Sequence, residues 1–181
     1  MYTFRRGEIT MKMLTTQLSG LLQRIAGSQE ESIEETARLL AQAAAGEGTI
    51  YFATFGEMDA VYANAEASGL FPRLAKWTRN TDVTSADRVW ILTTHATHPE
   101  ALSLAQSLAD SFIPFSALTA DKPDETNPLA DLAYTYVSVD ISKGLLPTDT
   151  GDRVVLPYAF AALFIYEAVL LSVREMTEDW E

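Results

Sequence analysis

Apolar residues recur along the chain in two rhythms, one at helical spacing and one in short, nearly continuous runs. Between Thr15 and Ala26, Leu18, Leu21, Leu22 and Ile25 lie three or four apart, which predicts a first helix. Ser28-Gln-Glu-Glu31 reads S-x-x-E, a capping box that predicts the start of a second helix running to about Ala45, where Gly46 and Gly48 stop it. TIYFAT (Thr49–Thr54) is an apolar, β-branched run that predicts a buried strand, followed by a tight turn at Phe55-Gly56-Glu57 and an alanine-rich helical pattern to about Ser68. The cycle then repeats. RVWILTT predicts a strand, THPEALSLAQSLAD a helix, FIPFSALT a strand and LAYTYVSVD a strand, with one helical turn in the Pro- and Asp-rich connection before the last. RLAKWT, within the less regular segment 71–84, fits a short edge strand. Apolar strands alternating with helices predict a parallel sheet covered on both faces, in which sites form beyond the carboxyl ends of the strands.

A length of 181 residues with 48% hydrophobic content suits one domain with a full core. Residues 1–10 read as a flexible extension ahead of a single domain at 11–181, with Met11 as an alternative start. The formal net charge of −12 argues against a nucleic-acid partner, because phosphate backbones are held by Lys and Arg. The chain has no cysteine, which excludes disulfides, thiolate catalysis and Cys-ligated zinc and fits a cytoplasmic protein. VVLPYAFAALFIYEAVLLSV (Val154–Val173) carries a single charge, Glu167, and is close to the length that spans a bilayer. Pro157 suits a first helical turn and the tail REMTEDWE lacks a basic cluster, so a helix buried on several faces is the expectation and no membrane partner is.

The stretch Thr93-Thr94-His95-Ala96-Thr97 falls after one strand and before the next helix, where unpaired amides and the helix dipole favour an anion. Its threonine hydroxyls add donors for a phosphate. A second reading stands beside this one: Thr97-His98-Pro99-Glu100 is itself a T-x-x-E capping box with proline in the first turn. Glu57, after the preceding strand, likewise reads either as a complement to a helix dipole or as a general base beside bound substrate, with Gly56 allowing close backbone approach. His95 and His98, with Glu57 as a third donor, offer zinc-type ligands, but imidazoles flanking a helix start need not converge, and no metal is assigned. G-x-G-x-x-G, P-loop and G-x-S-x-G patterns are absent, so no nucleotide cofactor and no serine nucleophile are expected. Thr119, Thr148, Asp149 and Thr150 are further polar residues of later loops.

The order of GTIYFATFGEMDAVYANAEAS, ADRVWILTTHATHPEALSLAQSLAD and FIPFSALTA after an N-terminal helical region resembles the SIS (sugar isomerase) domain, from about Met11 to the last helix. A small SIS-like family known as a domain of unknown function shares the TTQL opening, the GTIYF…FGEM turn and the acidic, apolar C-terminal region. The resemblance implies a flavodoxin-like three-layer α/β/α sandwich with a mainly parallel five-stranded sheet. It also implies a homodimer through the N-terminal and C-terminal helices, and a phosphosugar held by the loops after the first two core strands. The ligand-binding candidates in those loops are Thr54, Gly56, Thr93, Thr94, Thr97 and Glu100, joined by Thr119 from a later loop, and the catalytic candidates are Glu57, His95 and His98. Where the SIS loop typically reads S-x-S-G-x-T-P-E, this chain has TTHATHPE, keeping the first hydroxyl and Pro99-Glu100 but placing His95, Ala96 and His98 at the serine, glycine and threonine. Phosphoheptose isomerases also use a histidine on a late helix, and Leu156–Met176 contains none. The chemistry implied is aldose–ketose isomerisation through an enediol, with a carboxylate base and a histidine proton shuttle. The alternative is a non-catalytic module that senses a sugar phosphate.

Overall fold

The computed structural model describes residues 7–178. The first element is one helix, α1 (Gly7–Ala45), and not two. The S-x-x-E at 28–31 does not act as a cap, because the buried stripe of Leu21, Ile25, Ile33, Ala37 and Leu40 continues straight through it. A cap is useful only where helical N–H groups lack partners, and here they have them. Gly20 and Gly27 sit on the open side of the helix, where an added Cβ would meet nothing within 4 Å, so they cost about 1 kcal/mol each in propensity without breaking it. Gln29 lies on the buried side and uses its Oε1 to accept from the Ser138 N–H at 3.0 Å. Of the expected flexible extension, residues 1–6 lie outside the described residues, and Gly7–Thr10 are helical.

The strands follow the sequence expectation closely: β1 (Ile50–Thr54), β2 (Leu74–Lys76), β3 (Arg88–Leu92), β4 (Phe115–Thr119) and β5 (Thr135–Ser138). They form one parallel sheet in the order β2-β1-β3-β4-β5. Side chains alternate between faces as the pleat requires. Ile50, Phe52, Trp90, Leu92 and Leu118 pack toward α1, α2 (Asp59–Ser68) and α5 (Tyr158–Glu178). Ala53, Val89, Ile91, Phe115 and Ala117 pack toward α3 (Pro99–Asp110) and α4 (Pro128–Leu132). The result is a three-layer α/β/α sandwich of the flavodoxin type. The apolar C-terminal segment is α5, which buries Ala161, Ile165, Tyr166, Val169 and Val173 in the core. No described helix is long and apolar enough to cross a membrane.

Two features carry no strong sequence signal. A small antiparallel ribbon, β6 (Leu146–Pro147) with β7 (Arg153–Val154), precedes α5. Gly144 passes so near it that an added Cβ would lie 2.4 Å from the Val154 carbonyl oxygen. Thr148, Asp149 and Thr150 form the turn of this ribbon, where Thr148 Oγ1 lies 2.9 Å from Thr150 Oγ1 and Thr150 donates to Asp152 Oδ2 at 3.0 Å. The second feature is a triangle of buried hydroxyls between α1 and the sheet. Thr36 Oγ1 lies 2.8 Å from Ser116 Oγ and 2.7 Å from Thr135 Oγ1, and Thr135 donates to Ser116 at 2.8 Å.

Each hydroxyl in that triangle can donate to one neighbour and accept from the other, so removing one leaves a buried partner short. Thr36→Val, which keeps the shape, is expected to cost about 1–3 kcal/mol, seen in urea unfolding as a lowered midpoint at unchanged slope. An unchanged midpoint would show that the triangle contributes nothing.

Candidate functional site

The strand order reverses direction between β1 and β3, so the helices that follow them leave to opposite faces of the sheet and open a crevice at the carboxyl edge. The two strands end level, with Thr54 opposite Leu92 and the Phe55 N–H bonded to the Leu92 carbonyl at 3.0 Å. After β1 the chain enters a single 3-10 turn, Gly56–Met58. Gly56 begins it at φ +63°, a left-handed conformation that favours glycine. Met58 is fully buried and anchors the turn, which leaves Glu57 exposed at the crevice.

From the β3 side, Thr94 Oγ1 donates to Glu57 Oε1 at 3.2 Å, so the two loops meet across the crevice. His95 follows, with Nδ1 3.4 Å from Asp121 Oδ1, while the other oxygen of Asp121 accepts from the Ala96 N–H at 2.8 Å. Tyr158, the first residue of α5, lies edge-on to the His95 ring with centroids 6.3 Å apart. Burial, and then the charges of Glu57 and Asp121, raise the Tyr158 hydroxyl above its ordinary value and keep it a neutral donor at physiological pH. Glu57, Thr94, His95, Asp121 and Tyr158 therefore form one constellation drawn from four segments of the chain.

The other residues singled out in the sequence take different places. Thr54 donates to Asp59 Oδ1 at 2.5 Å, a carboxylate that Lys76 also reaches at 3.4 Å. Thr93 is buried, and its hydroxyl donates to the His95 carbonyl at 3.3 Å. Thr119 is buried as well, in close hydrogen-bond contact with the Tyr136 hydroxyl and accepting from the Asp121 N–H at 2.9 Å. Glu100 turns away from the crevice into an ion pair with Arg79. The cap of α3 is His98 and not Thr97, because Pro99 occupies the first helical position and holds the preceding residue extended, at φ −61° and ψ 121°. His98 Nδ1 accepts from the Ala101 N–H at 3.5 Å, and its ring lies 4.8 Å from that of Phe55. The two histidines thus face different partners, and among the described residues no group of three His, Asp or Glu is arranged to hold a metal ion.

Thr97 is exposed on the rim of an adjoining cleft of about 390 Å³ beyond β4 and β5, lined also by Asp121, Lys122, Thr126, Asp140 and Ser142. A larger groove of about 600 Å³ runs along α3 beside Trp77 and Val83, and its charged groups are Asp82 and the paired Arg79 and Glu100. Asp121 and Tyr158 were not singled out in the sequence. Asp121 does obey the address rule, since it lies just past the carboxyl end of β4. Tyr158 has only its place after Pro157 to mark it.

Comparison with known proteins agrees with this architecture. The fold matches the E. coli CFT073 protein c3406 at a TM-score of 0.73 with 14% identity, covering 97% of this chain and 94% of that one. It also matches the sugar isomerase domain of the RpiR transcription factor from Sphaerobacter thermophilus, at a TM-score of 0.64 with 13% identity, covering 95% of this chain and 93% of that one. The parallel five-stranded sheet with its flanking helices is thus a fold shared with a sugar isomerase (SIS) domain. Within that fold, residues 10–177 match the family described as Domain of unknown function (DUF2529), and the chain belongs to it. The chain is also similar to the "Uncharacterized protein YwjG" of Bacillus subtilis (strain 168), 27% identical over 172 residues that cover 94% of this chain and 99% of that protein.

Proposed function

We propose that this chain is a cytoplasmic phosphosugar-binding domain and that its ligand occupies the crevice between β1 and β3. The observation that carries the reading is the meeting of Thr94 and Glu57 at 3.2 Å across that crevice, with His95 beside them. The first amides of the 3-10 turn, at Gly56 and Glu57, have no partner in their own turn and suit an anionic oxygen. The Thr94 hydroxyl supplies a further donor when the ligand draws it from Glu57, and Thr97 offers another from the rim of the adjoining cleft. Glu57 is placed to take a proton from a carbon next to a carbonyl, and His95 to carry the proton between the two oxygens of an enediol. This is aldose–ketose isomerisation, with Tyr158 at the start of α5 as a neutral donor in a helix that contains no histidine. His98, Thr93, Thr119 and Glu100 support the loops around the ligand.

A second reading is a sensor that binds the same ligand without turning it over. It is favoured by the TTHATHPE loop, which lacks the second serine and the glycine of the SIS pattern, and by the likeness to a sugar isomerase domain of a transcription factor. A thermal-shift screen of sugar phosphates against inorganic phosphate tests both readings. A ligand at a hundred times its Kd adds about 2.7 kcal/mol of stability, and a shift beyond the phosphate control is the expected outcome. Glu57→Gln is expected to keep that shift and abolish turnover, whereas a sensor shows the shift and no turnover in either form. Flat curves for every sugar phosphate contradict the proposal.

The same reading includes a homodimer. Leu156, just before α5, and Phe160 and Leu171 on it are 50%, 65% and 64% exposed, a side that a second copy would cover. Sedimentation of the wild type is expected to give twice the chain mass, and of Phe160→Asp a folded monomer. A monomeric wild type rules the dimer out.

A further inference from the structure

Asp121 is held through both its backbone and its side chain. Its N–H donates to the buried Thr119 Oγ1 at 2.9 Å, and its carbonyl accepts from the Tyr136 hydroxyl at 3.0 Å. Tyr136 is fixed in turn by the amide of buried Asn127, 2.7 Å from its hydroxyl oxygen. One carboxylate oxygen is committed to the Ala96 N–H at 2.8 Å. That leaves Oδ1, 3.4 Å from His95 Nδ1, as an acceptor that cannot donate. A neutral imidazole has one protonated nitrogen, and which one it is depends on the hydrogen bond that the other makes.

We propose that Asp121 is a positioning residue, which holds neutral His95 in its Nδ1–H form and so leaves Nε2 as the nitrogen free to take a proton from a ligand in the crevice. The role of Nε2 rests on the isomerase reading above, but the tautomer does not. His98 provides an internal contrast: its Nδ1 accepts from the Ala101 N–H, which requires the Nε2–H form. The chain contains only these two histidines, so the two opposite tautomers are distinguishable in one protein.

Asp121→Asn gives the sharpest test. The Ala96 N–H needs an oxygen, so the asparagine must turn its oxygen there and present its NH2 group to His95. That arrangement makes Nδ1 an acceptor and moves the proton to Nε2.

Long-range nitrogen–proton correlation spectra of the ligand-free protein, taken at a pH where both imidazoles are neutral, read the tautomers directly. The expected result is His95 as Nδ1–H in the wild type and as Nε2–H in Asp121→Asn, with His98 as Nε2–H in both. Asp121→Ala, which removes the acceptor without supplying a donor, is expected to lose the Nδ1–H preference. His95 found as Nε2–H in the wild type, or a tautomer that neither substitution moves, overturns the assignment. Because no ligand is present, such a failure leaves phosphosugar binding untouched, and a flat thermal-shift screen leaves the tautomer untouched.

Discussion

The site depends on the register between β1 and β3, and that register is clamped at the opposite end of the strands by Asp87. This buried carboxylate accepts from the Thr49 N–H at 2.7 Å, just before β1, and from the N–H and hydroxyl of Thr84 at 2.8 and 2.7 Å, just before β3. Burial alone would raise its pKa, but these hydrogen bonds and the nearby Arg88 charge lower it, so the group stays ionised and keeps its acceptors. Gly48 completes the clamp. An added Cβ there would lie 1.8 Å from the Ala86 carbonyl oxygen, so only glycine allows the two segments to approach this closely. A slip of one residue would turn Phe52 and Trp90 to the wrong face of the sheet, out of their edge-on contact at 5.2 Å. It would also separate Thr94 from Glu57. The crevice is therefore a consequence of how the strands begin.

Much of this was legible in the amino-acid pattern because buried parallel strands and amphipathic helices write their period directly into the sequence. TIYFAT, RVWILTT and FIPFSALT mark the three central strands, and the address of the TTHAT loop follows from strand polarity alone. Errors arose where a local motif competed with a longer-range one. The S-x-x-E at Ser28 resembles a helix start, but a buried stripe running from Leu21 to Leu40 keeps the helix whole. Thr97 looks like a cap, yet the proline at position 99 makes His98 the last extended residue. Glu100 was grouped with the ligand loop by proximity in sequence, and only the fold brings it beside Arg79, twenty-one residues earlier. Asp121 and Tyr158 reach His95 from other strands and helices, a relation that no local spacing encodes.

The electrostatics of the crevice set it apart from a simple phosphate cradle. Glu57 and Asp121 both lie near Tyr158, while Lys76 is paired with Asp59 at 3.4 Å and Lys122 with Asp140 at 3.5 Å. An anionic ligand would be held by amides and hydroxyls more than by cations, in keeping with the chain's net charge of −12. The carboxylates suit proton transfer better than anion capture, which is the physical reason for placing Glu57 at the reacting carbon and not at the phosphate.

Backbone amide spectra recorded while a sugar phosphate is added test the central claim most directly. The account predicts shifts confined to Gly56, Glu57, Thr94 and His95 and their neighbours at the β1–β3 crevice. Shifts clustered instead along α3, in the groove beside Trp77, would contradict it.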